Sequence, residues 1–279
     1  HSDVTLFDDP GGESKAHQGV TTEVTGNCGY SPFPARIGGP KALQENLGKT
    51  LIGRTPWTWN TLDEWGENLH NNGISINVAP QLGNAALQVS AGAIEDRRAT
   101  KDEMHKMKNL VAEAMEMGAF SLSTGLSLAP SGYASTEEVV ELCKVAAGYP
   151  GAFYVTHARV GNGKHLSSIK EAIEIGQRAG IPVQFSHMAI IDRRVFGDGP
   201  AMVNLLVEAR KQGLDISYDV YPYTAAGGSL QQLVPLWAQT GTVDDFVDRV
   251  RDPNIRPRIC KEVAIGKELI EDNSLGEFI

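Results

Sequence analysis

Three residues of this sequence can ligate a transition metal and fall at matching points in its pattern. Cys28 closes the run Gly26-Asn27-Cys28, His157 closes Val155-Thr156-His157, and His187 closes Phe185-Ser186-His187. Each run ends a short strand candidate that is mostly apolar or β-branched. Imidazole and thiolate suit zinc, and a site with fewer than four protein ligands leaves room for water. Water on such a metal ionises near neutral pH and can attack a carbonyl carbon that the metal also polarises. Bland readings stand beside this one. A single buried Cys is commonly a small hydrophobe, and a His at a strand end can be a satisfied polar residue. The coincidence of three positions is what favours a metal.

Two further places could touch a substrate. Tyr133 follows Pro130-Ser131-Gly132 in a loop after a strand, so its phenol either contacts substrate or packs the loop. Asp219, in Asp219-Val220-Tyr221-Pro222-Tyr223, could bind metal, but anchoring the turn is the better reading. Cys143 and Cys260 fall in helical contexts and read as packing residues, whereas His17, His70, His105 and His165 read as surface positions.

The elements that must position these groups alternate between strand and helix. Strand candidates run from Thr21 to Cys28, Ile74 to Ala79, Phe120 to Thr124, Phe153 to His157, Pro182 to His187 and Asp215 to Tyr221. Helix starts are marked by the S/T-x-x-E spacing of a capping box at Thr61/Glu64, Thr100/Glu103 and Ser135/Glu138. The helix from Lys101 to Met117 carries Met104, Met107, Leu110, Val111, Ala114 and Met115 at 3–4 spacing, a core-facing stripe. Ile169 to Ala179 and Ala201 to Gln212 are amphipathic too. Thr50 to Trp59 reads as an irregular loop whose Trp57 and Trp59 are structural or wall a pocket. Such alternation implies parallel strands joined by right-handed crossovers, an α/β fold of the TIM-like (β/α)8 kind, with active residues at the carboxyl ends of the strands. About six strand–helix units can be counted where a barrel has about eight. The sheet is therefore either open or lacks a first and a last strand.

Bulk properties narrow the function class. The chain has 279 residues, 41% hydrophobic and 21% charged, enough for one large barrel domain or two smaller ones. A net charge of -9, without a basic cluster, argues against a nucleic-acid partner. The nearest thing to one, Arg251 to Lys261, is interleaved with acidic residues and reads as a solvated segment. No apolar run approaches the roughly 20 residues that span a bilayer. Three cysteines make no disulfide framework and suit a reducing compartment, so a cytoplasmic location is expected.

Five segments carry a resemblance. GVTTEVTGNCGYSP (Gly19 to Pro32), FSLSTGLSLAPSGYASTEE (Phe120 to Glu138), YVTHAR (Tyr154 to Arg159), PVQFSH (Pro182 to His187) and DVYPYT (Asp219 to Thr224) resemble, in order, the N-acyl-D-amino-acid deacylases (D-aminoacylases) of the amidohydrolase superfamily. The resemblance implies a zinc hydrolase barrel acting on a small amide substrate. It makes Cys28 a thiolate able to bridge two metal positions, and His157 and His187 ligands of the tightly held zinc. It makes His1, in His1-Ser2-Asp3, a ligand of a weaker second site, and Tyr133 a contact for the substrate carboxylate.

Two departures qualify what is implied. Nothing after Tyr223 matches the family's catalytic aspartate, so that base is expected outside this chain. The small β domain has no counterpart either, so residues 1–279 read as a catalytic barrel domain lacking its first strand, its last strand and that β domain. Ala189 stands where many deacylases carry a lysine placed for the substrate's α-carboxylate. That leaves open an amidohydrolase acting on a cyclic amide, a dipeptide or a toxin amide. A metal-binding protein without catalysis is the third reading.

Overall fold

In the computed structural model, residues 2–159, 164–190, 192–223, 227 and 230–269 are described. Among the described residues, seven short strands form two sheets in which every pairing is parallel. β1 (Thr22–Thr25) pairs with β2 (Asn77–Pro80). β3 (Leu82–Gly83), β4 (Ser121–Gly125), β5 (Phe153–His157), β6 (Val183–Phe185) and β7 (Ile216–Tyr218) follow in chain order. Only Gln81 separates β2 from β3, and its amide donates to Thr25 O at 2.9 Å, so the two sheets make one wall with a kink. All six strand candidates form, and the extra element is the two-residue β3.

A helix joins each successive pair of strands from β3 onward. Lys101–Glu116, Thr136–Ala146, His165–Ala179 and Gly199–Lys211 lead to β4, β5, β6 and β7. Neighbouring strands in sequence are thus neighbours in the wall, as right-handed crossovers dictate. The described residues form an arc of parallel strands, the barrel-type α/β architecture, without the strands that would close it.

Local chemistry explains the helix starts. Thr100 and Ser135 accept from the amides of Glu103 and Glu138, whose carboxylates return to the cap residues' own amides. At Thr61 the box is half made: its hydroxyl accepts from Glu64 N, but the Glu64 carboxylate turns to Asn60 N at 2.6 Å. A further box, Thr242 with Asp245, escapes the S/T-x-x-E pattern because Asp replaces Glu. The Met107, Leu110, Val111, Ala114 and Met115 stripe is buried as its spacing requires. Trp57 and Trp59 stack on each other, with Phe7 stacked on Trp59 at 4.8 Å, so both are core residues.

Three expectations need correction. β1 stops at Thr25, because Gly26 turns the chain away from the sheet before Cys28. His165 is buried rather than superficial, its Nε2 lying 2.9 Å from Asp198 Oδ2. Cys260 is exposed, not packed, although Cys143 is fully buried. No helix among the described residues is long and apolar enough to cross a membrane.

Candidate metal centre

The chain leaving β1 crosses over the ends of β3, β4 and β5 instead of remaining at the rim, and small residues make that path possible. Gly26 has φ 83°, and a Cβ there would lie 2.2 Å from Gln81 O. On the other side, a Cβ at Gly125 would lie 2.1 Å from Cys28 O. β4 is Ser121-Leu122-Ser123-Thr124-Gly125, buried at every position, so no large side chain blocks the crossing. Ser123 ties the loop down by donating to Gly26 O and accepting from Gly29 N at 3.2 Å. Cys28 itself takes φ 57°, which directs its thiol toward the ends of β5 and β6.

His157 is the last residue of β5, and His187 stands two residues beyond β6. His187 also has a left-handed backbone, φ 39°. Its Nε2 lies 3.5 Å from Cys28 Sγ and 3.0 Å from His157 Nδ1, and the two rings meet edge-on at 77°. Potential ligand atoms of the three residues all fall within 4.8 Å of one another, a cluster that no carboxylate joins among the described residues. Zinc bonds of about 2.0 Å to nitrogen and 2.3 Å to sulfur, at tetrahedral angles, place ligand atoms roughly 3.3–3.6 Å apart. The separations of His187 Nε2 from the other two donors, 3.5 and 3.0 Å, lie close to that range.

Burial sets the protonation of this cluster without metal. It pushes the His157 imidazole down to about 3, with His187 adding to the effect, so His157 is neutral at ordinary pH and carries one ring proton rather than two. Burial pushes the Cys28 thiol up to about 12, so the sulfur keeps its proton until a cation compensates its charge. A dication reverses that preference and deprotonates a ligating thiol. The donor set, one thiol and two imidazoles, therefore fits zinc.

The other anticipated residues fall as follows. His1 lies outside the described residues. Tyr133 is 8% exposed, and its hydroxyl donates to Leu236 O at 2.8 Å while bonding Thr240 Oγ1. Its phenol is thus engaged with the segment after β7. Asp219 behaves as a turn anchor: Oδ1 accepts from His187 N at 2.6 Å and Oδ2 from Gln184 Nε2 at 2.7 Å. Arg159, next to the histidine loop, donates to Gly132 O and Ala134 O at 2.8 Å and pairs with Glu171, so it braces the β4 loop. Beside the histidines lies a cavity of about 60 Å³ lined by His157, His165, Ser168, His187, Ala189 and Met202 among others.

Two residues near the site, one a carboxylate and one an imidazole, were not legible as part of it. Asp3 is 1% exposed, accepts from Gly26 N through Oδ1, and leaves Oδ2 buried without a partner. Burial pushes its carboxyl up to about 6. His165 is the other surprise, since Nδ1 is buried and unpartnered at the cavity wall. Asp3 belongs to the His1-Ser2-Asp3 segment, which pointed only to His1 as a ligand, and His165 leaves no periodic or motif signal.

No family model matches the sequence. Among characterised relatives, D-aminoacylase of Alcaligenes xylosoxydans xylosoxydans is 32% identical over 219 residues, covering 78% of this chain and 44% of that protein. A crystal structure of a D-aminoacylase, described as defining a novel subset of amidohydrolases, superposes with a TM-score of 0.72 at 32% identity, over 81% of this chain and 46% of that one. The N-acyl-D-glutamate deacylase of Bordetella bronchiseptica, solved with zinc and a phosphonate mimic of the tetrahedral intermediate, gives 0.72 at 30% identity, over 80% and 46%. The chain spans just under half the length of these relatives.

Proposed function

The chain is a homologue of the N-acyl-D-amino-acid deacylases over most of its length, and from that premise we propose zinc-dependent hydrolysis of the amide bond of an N-acyl-D-amino acid or similar N-acyl amine. The observation that carries this is the convergence of Cys28, His157 and His187 donor atoms within 4.8 Å. These three residues would hold one tight zinc, with a weaker second site involving His1. Bound there, the metal supplies Lewis acidity toward the amide carbonyl and toward water. The protein's own part is to keep the His157 imidazole neutral, to fix the thiol by the Gly26–Gly29 crossing, and to shield the centre behind β4 and β5. In this reading residues 1–279 are the larger share of a catalytic barrel domain, and the proton-shuttling aspartate lies outside the described residues.

A specific observation favours a second substrate class. Ala189 lines the cavity beside the histidines, and no Lys or Arg is among the described residues lining it. A substrate carboxylate would find no cation there, so an amide without a carboxylate, such as a cyclic amide, fits that wall as well. A small-molecule amide is the partner in either case.

The test is turnover by the full-length protein on a panel of N-acyl-D-amino acids and carboxylate-free amides. Hydrolysis should be lost on chelation, return with zinc, and be absent in Cys28→Ala. Activity unaffected by Cys28→Ala contradicts the proposal. Zinc bound with no amide hydrolysed would support a metal-binding protein without catalysis.

A further inference from the structure

Cys28 and His187 are the only residues other than glycine, among those described, with a positive φ. Side-chain-bearing residues adopt that backbone at a cost in free energy, and such outliers persist only where their surroundings over-determine them. Two of the three convergent donors therefore stand on strained backbone, and something must hold each of them.

In both cases the holder is a carboxylate from a distant part of the chain. Asp219, just past β7, accepts the backbone amide of His187 at 2.6 Å through Oδ1. Its Oδ2 is fixed by Gln184 Nε2 at 2.7 Å, and Gln184 Oε1 in turn accepts from Ser217 Oγ at 2.5 Å. The Asp219 main chain adds two more bonds to the same turn, donating to Phe185 O at 3.2 Å and accepting from Met188 N at 2.8 Å. On the opposite side, buried Asp3 accepts the amide of Gly26, two residues before Cys28, while Trp65 Nε1 donates to Asp3 O at 3.1 Å.

We propose that Asp3 and Asp219 are positioning residues, a pair of backbone clamps that hold Cys28 and His187 turned toward a common point before any metal arrives. The proposal rests on the zinc reading above for its purpose, but the clamping itself is a property of the chain alone. Neither carboxylate belongs to the donor cluster, so each acts through the backbone and not as a ligand. Charge-assisted bonds from backbone N–H to carboxylate are among the stronger hydrogen bonds available for this task. Preorganised donors bind metal more tightly, and losing an outer partner of a metal ligand typically costs about 10–100-fold in affinity.

The experiment uses the full-length protein as wild type, Asp219→Ala, Asp219→Asn and Asp3→Asn, with two readouts. Zinc affinity is measured by competition with a chromophoric chelator, and amide exchange at His187 and Gly26 is measured on metal-free protein. Circular dichroism on each variant verifies that the fold is intact before either readout is taken. Asp219→Ala should weaken zinc by about 10–100-fold and raise exchange at His187 while Phe185 in β6 stays protected. Asp219→Asn, which retains one acceptor oxygen, should recover part of both. Asp3→Asn should raise exchange at Gly26 and weaken zinc less than Asp219→Ala does. Unchanged exchange at His187 in Asp219→Ala overturns the clamp, as does zinc affinity within twofold of wild type. A wild-type protein that takes no zinc sinks the metal reading instead, and the exchange measurements then decide the clamp on their own.

Discussion

Gly125→Ala is the most informative single substitution, because the space it fills is backbone space beneath Cys28. Gly125 has ordinary strand backbone, so alanine meets no φ penalty and the effect is purely one of contact. The added Cβ would sit 2.1 Å from Cys28 O and 2.9 Å from Cys28 C, with Leu128 Cδ1 at 3.3 Å. The Cys28 backbone must retreat by roughly 1 Å to reach even the shortest tolerated contact, an overpacking that costs about 1–3 kcal/mol of stability. Metal ligands tolerate about 0.2 Å, so the same retreat carries the sulfur well out of bonding distance from a zinc held by His157 and His187. The expected loss is at least about tenfold in zinc affinity, or about 1.4 kcal/mol. Chelator competition measures it, at a temperature where circular dichroism shows the variant folded. Gly66→Ala is the control: no atom lies within 4 Å of its Cβ position in the helix Leu62–Asn71. Helix propensity predicts about 1 kcal/mol of added stability there, with zinc unchanged. Wild-type zinc affinity in Gly125→Ala would refute the crossing-loop account.

Two other outcomes follow from the contacts. Tyr133→Phe removes bonds to Leu236 and Thr240, so denaturant unfolding should show a loss of roughly 1–2 kcal/mol, and amide exchange should rise around residues 236–240. The carboxyls of Glu103 and Glu141 are each lowered from 4.5 to about 2, by Arg97 and by Lys108 with Lys144 respectively. Depressed folded values mean that their stabilisation is complete above about 4.5 and disappears as pH falls toward 2. A Glu103→Gln, Glu141→Gln double variant should therefore melt below wild type at neutral pH and converge with it near pH 2, as calorimetry across that range will show.

Much of this was legible in the sequence. Six strand runs and the helices between them follow from periodicity and capping chemistry, which are local, and the three donors stand out by residue type at matching positions. What the sequence conceals is long-range or conformational. The reversal at Gly26 moves Cys28 off its own strand and over β4, and only the backbone shows it. Asp3 and Asp219 grip main-chain amides 23 and 32 residues away, a relation that leaves no side-chain pattern. The burial of His165 depends on Asp198, 33 residues on, and the engagement of Tyr133 on a segment more than 100 residues later. Local spacing cannot foresee such partners.

The central claim is that Cys28, His157 and His187 together hold one zinc. X-ray absorption at the zinc edge of the full-length wild-type protein, repeated on Cys28→Ala, tests it most directly. The account predicts one sulfur at about 2.3 Å with nitrogen neighbours near 2.0 Å in wild type, and loss of that sulfur together with most of the metal in the variant. A shell of nitrogen and oxygen alone in wild type, or full zinc retention without Cys28, would contradict it.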